Sequence, residues 1–268
     1  MNKTETNAAR FFIDKNAIRG REIEITGDDA KHIVASLRMK AGGHIAVCDK
    51  EGTDYACELT YAGAGAVRAE ILRGYPSAGE PGVKVILYQS LPKSDKFDYV
   101  IQKCVEAGIY KINPVVSART QFGGRIRDAG EKLQARWRRI SYEAAKQSGR
   151  GIVPEISVCR PFPQAVDECA ERVSERPLTS LAIIPYENEE RVGIRGEFTD
   201  FKCRSAAAQR EIHREIHIFI GPEGGYSNEE ISYCVTREIK PVTLGPRVLR
   251  TETAGLAALC QAMYEFEM

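Results

Sequence analysis

The stretch Ile216-His217-Ile218-Phe219-Ile220, followed at once by Gly221-Pro222-Glu223-Gly224-Gly225-Tyr226 and then Ser227-Asn228-Glu229-Glu230, decides how this chain is read. An apolar run of strand length passes into a glycine-rich loop, and Ser227 with Glu230 has the spacing of a capping box that opens a helix. Glycines in such a loop let backbone amides and carbonyls approach a ligand closely. No Gly-Lys-Ser/Thr follows, so the loop is not a P-loop, and the Gly-x-Gly-x-x-Gly dinucleotide spacing is absent. Alone, the stretch reads as well for a glycine turn before a capped helix as for a ligand loop.

A second strand end tips that balance. Pro241-Val242-Thr243-Leu244 ends in Gly245-Pro246 and is followed by Arg247-Val248-Leu249-Arg250-Thr251-Glu252-Thr253-Ala254. A helix beginning near Thr251 is predicted to bury Leu256, Leu259, Cys260, Met263 and Phe266. Two strand ends with Gly-Pro loops, one beside two arginines, can build a single pocket. Backbone amides and carbonyls with a few apolar side chains suit an adenine-like ring better than a triphosphate.

Working outward, strands and helices alternate from Val83 on. Strands are predicted at 83–88, 112–116, 178–184, 215–220 and 241–244, and helices at 94–107, 129–148, 162–173, 228–236 and 251–266. Residues 187–213 read as a polar loop. This alternation specifies an α/β domain with a mostly parallel sheet, whose ligand lies outside the carboxyl ends of the strands. Upstream, Glu22-Ile23-Glu24-Ile25 and parts of 44–48, 55–61 and 66–73 alternate with period two, and one helix over 27–37 carries Ile33, Val34 and Leu37. That region reads as a small β-barrel-like module. The breaker-rich Pro76-Ser77-Ala78-Gly79-Glu80-Pro81-Gly82 is the expected linker, so the predicted division is 1–75, 76–82 and 83–268.

Composition narrows the class. At 268 residues, 43% hydrophobic and 28% charged, the chain is neither collagen-like nor disordered, and its length favours two domains. Met1 to Asn7 lacks a signal-peptide pattern, and the longest apolar run is Leu256 to Cys260, too short to cross a membrane. A cytoplasmic protein without membrane contact is expected. Eight cysteines without a C-x-x-C pair read as buried, reduced thiols, not as a zinc site, and a Cys48–Cys57 disulfide is disfavoured. No metal site is expected. His213 and His217 are spaced i, i+4, but the intervening Glu is misplaced for a zinc protease motif; Ser227 lacks the closing glycine of a nucleophile elbow.

The net charge of +1 hides a division. Residues 84–150 carry 14 basic and 6 acidic side chains, whereas 151–268 carry 13 and 19. Arg136, Arg138, Arg139 and Lys146 alone are what the wet face of a helix shows. With Lys93, Lys96, Lys103, Arg119, Arg125, Arg127 and Arg150 added, the block reads as a nucleic-acid surface.

Several segments together resemble a known family. They are Arg10-Phe11-Phe12, His32 through Lys40, Leu91-Pro92-Lys93 with Gln102-Lys103 and Glu106-Ala107-Gly108, Arg119, Glu143 through Arg150 with Pro154, Gly221 through Gly225, and Leu244 through Ala254. In this order they resemble the ribosomal RNA small-subunit methyltransferase E family of the SPOUT class, which methylates N3 of a uridine in 16S rRNA. The resemblance implies a PUA-like N-terminal RNA-binding β-barrel domain and a C-terminal α/β domain closed by a deep trefoil knot. It also implies S-adenosylmethionine as cofactor and a homodimer. Carried over by position, the cofactor residues are Pro185, Ile220, Gly221, Pro222, Glu223, Gly224, Gly225, Leu244, Gly245, Val248, Leu249 and Thr253. Arg10, His32, Arg38, Lys40, Lys93, Arg119 and Arg150 are the expected RNA contacts, with His32 read equally as a structural residue.

The substrate sets the chemistry. Uracil N3 is a poor nucleophile until its proton is lost, so the enzyme has to stabilise a uridine anion and align it with the methyl group. Arg250 is the first candidate for that electrostatic role, Arg247 the second, and Glu223 a candidate proton acceptor. Arg247 could instead bind a phosphate, and Glu223 could orient its loop. Methylation of a ribose hydroxyl or another base, and a non-catalytic RNA-binding assembly factor, are the alternatives.

Overall fold

The structure is a computed structural model that describes residues 9–63, 65–121, 123–206 and 213–267, without the side chains of 123–129. It divides into two units, residues 1–80 with 145–153 and residues 81–144 with 154–268.

The first unit holds β1 (Arg10–Phe12), β2 (Ile18–Arg19), β3 (Glu22–Thr26), α1 (Gly27–Lys31), β4 (His44–Cys48), β5 (Thr53–Ala62) and β6 (Ala66–Pro76). They form a six-stranded half-barrel sheet in the order β1-β4-β5-β6-β3-β2, antiparallel except for β1 beside β4. The period-two residues do what the alternation predicts: Ile23 and Ile25 of β3, Ile45 and Val47 of β4, Cys57 and Leu59 of β5, and Val67 and Ala69 of β6 meet in one core. The predicted helix over 27–37 is only partly regular. After α1 the chain widens into a π-turn over His32–Ser36, then reverses at Arg38, whose φ is +53°. Ile33 stays buried while Leu37 is turned outward, 40% exposed.

The junction also differs from the expected linker. Ser77 donates its N–H to Gly52 O at 2.8 Å, and the Glu80 carboxylate accepts the N–H groups of Gly151 and Ile152. Residues 76–80 therefore belong to the first unit, as does the distant segment 145–153.

The second unit contains β7 (Val83–Ser90), α2 (Lys96–Glu106), β8 (Lys111–Val116), α3 (Gly123–Gln147, whose last turn reaches into the first unit), β9 (Glu155–Ile156), β10 (Arg160–Pro161), α4 (Phe162–Glu175), β11 (Ser180–Pro185), α5 (Ile194–Ser205), β12 (Arg214–Ile220), α6 (Asn228–Val235), β13 (Lys240–Val242) and α7 (Thr251–Glu267). The sheet runs β10-β8-β7-β12-β11-β13 with β9 beside β8, and every pairing is parallel. Near-continuous apolar runs are what central parallel strands require, because helices cover both faces; accordingly Glu215 through Ile220 of β12 are all buried.

The polar loop predicted at 187–213 contains α5, which buries Ile194, Phe198 and Phe201 at helical spacing. In α7 the buried face is Gly255, Ala258, Leu259, Ala262 and Met263, while Cys260 is exposed. Small residues let α7 lie close to the sheet: a β-carbon on Gly255 would stand 3.1 Å from Gln89 Oε1. Cys203 is exposed as well, so the thiols are not uniformly buried. Cys48 and Cys57 are both free, and burial pushes their pKa values up to about 11 and about 12.

The connectivity positions the site. From β12 the chain crosses β11 to reach β13 at the edge, then returns to α7, which packs on α2, β7 and β12. That return lays the C-terminal helix against the middle of the sheet. It also brings the loops after β11, β12 and β13 to the same end of the sheet.

Candidate functional site

Those three loops enclose a cavity of about 970 Å³, lined by Pro185–Glu187, Ile220–Tyr226 and Thr243–Thr251, with Lys96, Glu189, Glu190 and Ala254. It lies outside the carboxyl ends of parallel strands, where ligands of open α/β sheets bind. The cavity gathers every residue carried over for the cofactor except Thr253. Thr253 is exposed in the first turn of α7, and its N–H is spent on Arg250 O at 2.8 Å.

The first loop is held from several sides. Ser227 and Glu230 form the predicted capping box, which starts α6 and fixes the loop's exit. Glu230 Oε1 also accepts the Ala118 N–H at 2.8 Å. Arg119 donates to Gly224 O at 2.7 Å. Deeper, Thr251 Oγ1 donates to Gly221 O at 2.6 Å and accepts from Gln89 Nε2 at 2.9 Å, tying the first loop, the start of α7 and β7 together. Neither Gln89 nor Thr251 was a sequence candidate; the bridge spans 162 residues and leaves no local signal.

The loop's glycines sit in close quarters. A β-carbon at Gly221 would stand 3.3 Å from the Gly225 carbonyl carbon and the Tyr226 ring. At Gly225, where φ is +65°, it would fall 2.6 Å from Glu187 Oε1. Tyr226 is fully buried and closes the cavity against the core under α4.

The charged candidates divide sharply. Arg247 and Arg250 line the cavity and are exposed, and neither guanidinium makes a hydrogen bond or ion pair with another described residue. Between them Val248 is 87% exposed. Glu223, by contrast, is engaged: Oε1 accepts the Lys93 N–H at 3.0 Å and lies 3.5 Å from Lys96 Nζ, which also meets Glu252 at 3.3 Å. Burial alone would raise the Glu223 pKa, but the Lys93 hydrogen bond and the Lys96 charge outweigh it and hold it below its ordinary value. A carboxylate so stabilised is a poor proton acceptor, so the geometry favours Glu223 as an anchor of the loop.

Of the expected RNA contacts, His32, Arg38, Lys40 and Lys93 are exposed. His32 sits edge-on to Phe11 with ring centroids 6.1 Å apart. Arg10 and Arg150 are instead built into the first unit. Arg150, 3% exposed, forks onto Glu80 at 2.9 and 2.8 Å, and its carbonyl accepts Arg10 Nη1 at 2.7 Å. Arg10 also pairs with Asp54 at 2.8 Å. Arg119 is spent partly on Gly224. These three cations hold structure, because each has found an internal acceptor. In the basic block, Arg136 pairs with Asp98 and Lys146 with Asp29, whereas the side chains of Arg125 and Arg127 lie outside the described residues.

A half-barrel unit joined to a parallel α/β unit, with a ligand cavity at the returning C-terminal segment, is the architecture of an RNA methyltransferase. Consistent with this, the family model described as an RNA methyltransferase domain matches residues 79–263, and the one described as an RNA methyltransferase PUA domain matches residues 25–72. The chain is 30% identical over 262 residues to ribosomal RNA small subunit methyltransferase E of Bacillus subtilis (strain 168), covering 97% of each. It is 28% identical over 254 residues to the protein of that name from Synechocystis, covering 95% of this chain and 77% of the other. A crystal structure of a ribosomal RNA small subunit methyltransferase E from Neisseria gonorrhoeae, bound to S-adenosyl methionine, superposes with a TM-score of 0.74 at 29% identity, over 95% of this chain and 96% of that one. The chain belongs to the ribosomal RNA small subunit methyltransferase E family.

Proposed function

We propose that this protein transfers a methyl group from S-adenosylmethionine to N3 of a specific uridine in the 16S rRNA of the small ribosomal subunit, acting in the cytoplasm as a homodimer. The observation that carries this reading is the strand-end cavity with two unpaired arginines on its wall. We assign RNA binding to the first unit, residues 1–80 with 145–153, and catalysis to the second, residues 81–144 with 154–268.

The cavity fits the cofactor. Its volume suits a nucleoside-sized ligand, its walls at 220–225 and 244–249 present backbone groups to a base, and the glycines at 221 and 225 keep the first wall free of side chains. Pro185, Ile220–Gly225, Leu244, Gly245, Val248 and Leu249 would hold it. When bound, S-adenosylmethionine supplies an electrophilic methyl group on a sulfonium.

The remaining work falls to the chain. Uracil N3 lies on the Watson–Crick edge, so the target base has to be unpaired or splayed from its helix. Arg250, and after it Arg247, offers a guanidinium free to stabilise negative charge on the uracil as its N3 proton leaves, where such stabilisation lowers the barrier most. Glu223 keeps the first loop in place through Lys93 and Lys96. Arg38, Lys40, His32 and Lys93, exposed on their units, serve as RNA contacts, and salt is expected to weaken that binding.

The test is a map of reverse-transcription stops on 16S rRNA from cells with and without the protein. N3-methyluridine cannot pair and blocks extension, so one stop should vanish when the protein is removed. A ribose methyl would give a pause only at low nucleotide supply. Identical maps would refute the reading.

A further inference from the structure

Four carboxylates line the cavity, at positions 187, 189, 190 and 223, and their surroundings differ. Glu223 is taken up by Lys93 and Lys96. Glu189 turns back on its own loop, where Oε1 accepts the N–H groups of Arg191 at 2.7 Å and Val192 at 3.0 Å. Glu187 and Glu190 have no hydrogen-bond or ion-pair partner among the described residues. Of these two, Glu187 is the one whose carboxylate rests on the glycine loop, with Oε1 2.6 Å from where a β-carbon on Gly225 would stand.

Its place in the sheet matters as much as its lack of a partner. Glu187 follows the end of β11, which stands between β12 and β13. A ligand spanning the loops after β12 and β13 has to cross in front of it. The outer loops present chiefly backbone groups, suited to the edge of a base. The middle of such a ligand, when it is a nucleoside, is a ribose with two adjacent hydroxyl donors. A carboxylate with both oxygens uncommitted is the acceptor that matches a vicinal diol, as acidic residues do for riboses at other strand ends.

We infer that Glu187 is the specificity residue that reads the ribose of the cofactor, accepting hydrogen bonds from its 2′ and 3′ hydroxyls. The assignment rests on the cofactor reading proposed above. It also gives Gly225 a second purpose: besides allowing a positive φ, the missing side chain lets the carboxylate settle against the loop.

The experiment is calorimetric titration of the full-length protein and its Glu187→Ala and Glu187→Gln variants with S-adenosylhomocysteine and with 5′-methylthioadenosine. The second ligand keeps adenine and ribose but lacks the amino-acid group. Glu187 is exposed, so both variants should keep the parent's thermal midpoint. Glu187→Ala should weaken both ligands by a similar factor, about tenfold to a hundredfold, the size of a hydrogen bond to a charged group, and Glu187→Gln should recover part of the loss. Weakened S-adenosylhomocysteine with unchanged methylthioadenosine would mean that the carboxylate meets the ligand's ammonium group, and would overturn the assignment, as would unchanged affinity for both. Failure of the unaltered protein to bind S-adenosylhomocysteine would instead strike the cofactor reading itself.

Discussion

Arg150 and Arg250 are the same residue type in segments of similar character, and the structure uses them in opposite ways. Arg150 is buried, with its guanidinium forked onto Glu80 and its carbonyl held by Arg10. Arg250 stands on the cavity wall with no partner among the described residues. The difference shows that an arginine's role is set by whether the fold supplies an acceptor. An engaged guanidinium fixes backbone segments far apart in sequence; a free one keeps its charge for something the protein does not contain.

The comparison is easiest to break through stability. Arg150→Met leaves the Glu80 carboxylate only the N–H groups of Gly151 and Ile152 and should cost about 3 kcal/mol, the lower end of the penalty for opening a buried pair, whereas Arg247→Ala should stay within about 0.5 kcal/mol, as for an unengaged surface residue. Urea unfolding of both variants measures the contrast; equal losses would erase it. Arg10→Met removes the Asp54 pair and the Arg150 carbonyl contact, and about 2–3 kcal/mol should be lost in the same assay.

Arg172 sharpens the comparison within the second unit, because it pairs with the buried Glu215 at 2.8 Å. Burial alone would raise the Glu215 pKa, but His217 beside it and the Arg172 hydrogen bonds hold it well below the usual carboxylate range. A carboxyl depressed on folding adds stability above its unfolded pKa and loses it as pH falls through the folded one. Arg172→Met should therefore cost about 2 kcal/mol at neutral pH, with the gap to the parent narrowing in acid. A gap independent of pH would show that the pair is not its source. A smaller loss than those of the paired cations is expected from Thr251→Val, which removes the bridge between Gly221 O and Gln89 Nε2 and should cost about 1–2 kcal/mol.

How far the sequence foretold this is best judged residue by residue. The strand over 216–220, the capping box at Ser227 and Glu230 and the two Gly-Pro strand ends were legible because each is a local pattern with a local cause. The amphipathic spacing of Ile194, Phe198 and Phe201 is equally local, but the charged residues between and around them mask the helical period. The placement of Arg10, Arg119 and Arg150 was not legible. Their acceptors Asp54, Gly224 and Glu80 are 44, 105 and 70 residues away in the chain. For the same reason the Gln89–Thr251–Gly221 bridge and the contact of Glu187 with Gly225 emerge only when the strand ends are brought together.

The central claim is that the unpaired arginine acts on the substrate and not on the cofactor. Its most direct test is methyl transfer to 16S rRNA by Arg250→Ala, read beside S-adenosylmethionine affinity on the same preparation. Transfer should fall about 10²–10³-fold, the cost of removing one preorganised electrostatic group, while affinity stays within about twofold of the parent, well under the factor of ten that 1.4 kcal/mol represents. Transfer at the parental rate, or an equal loss of both quantities, would contradict the account.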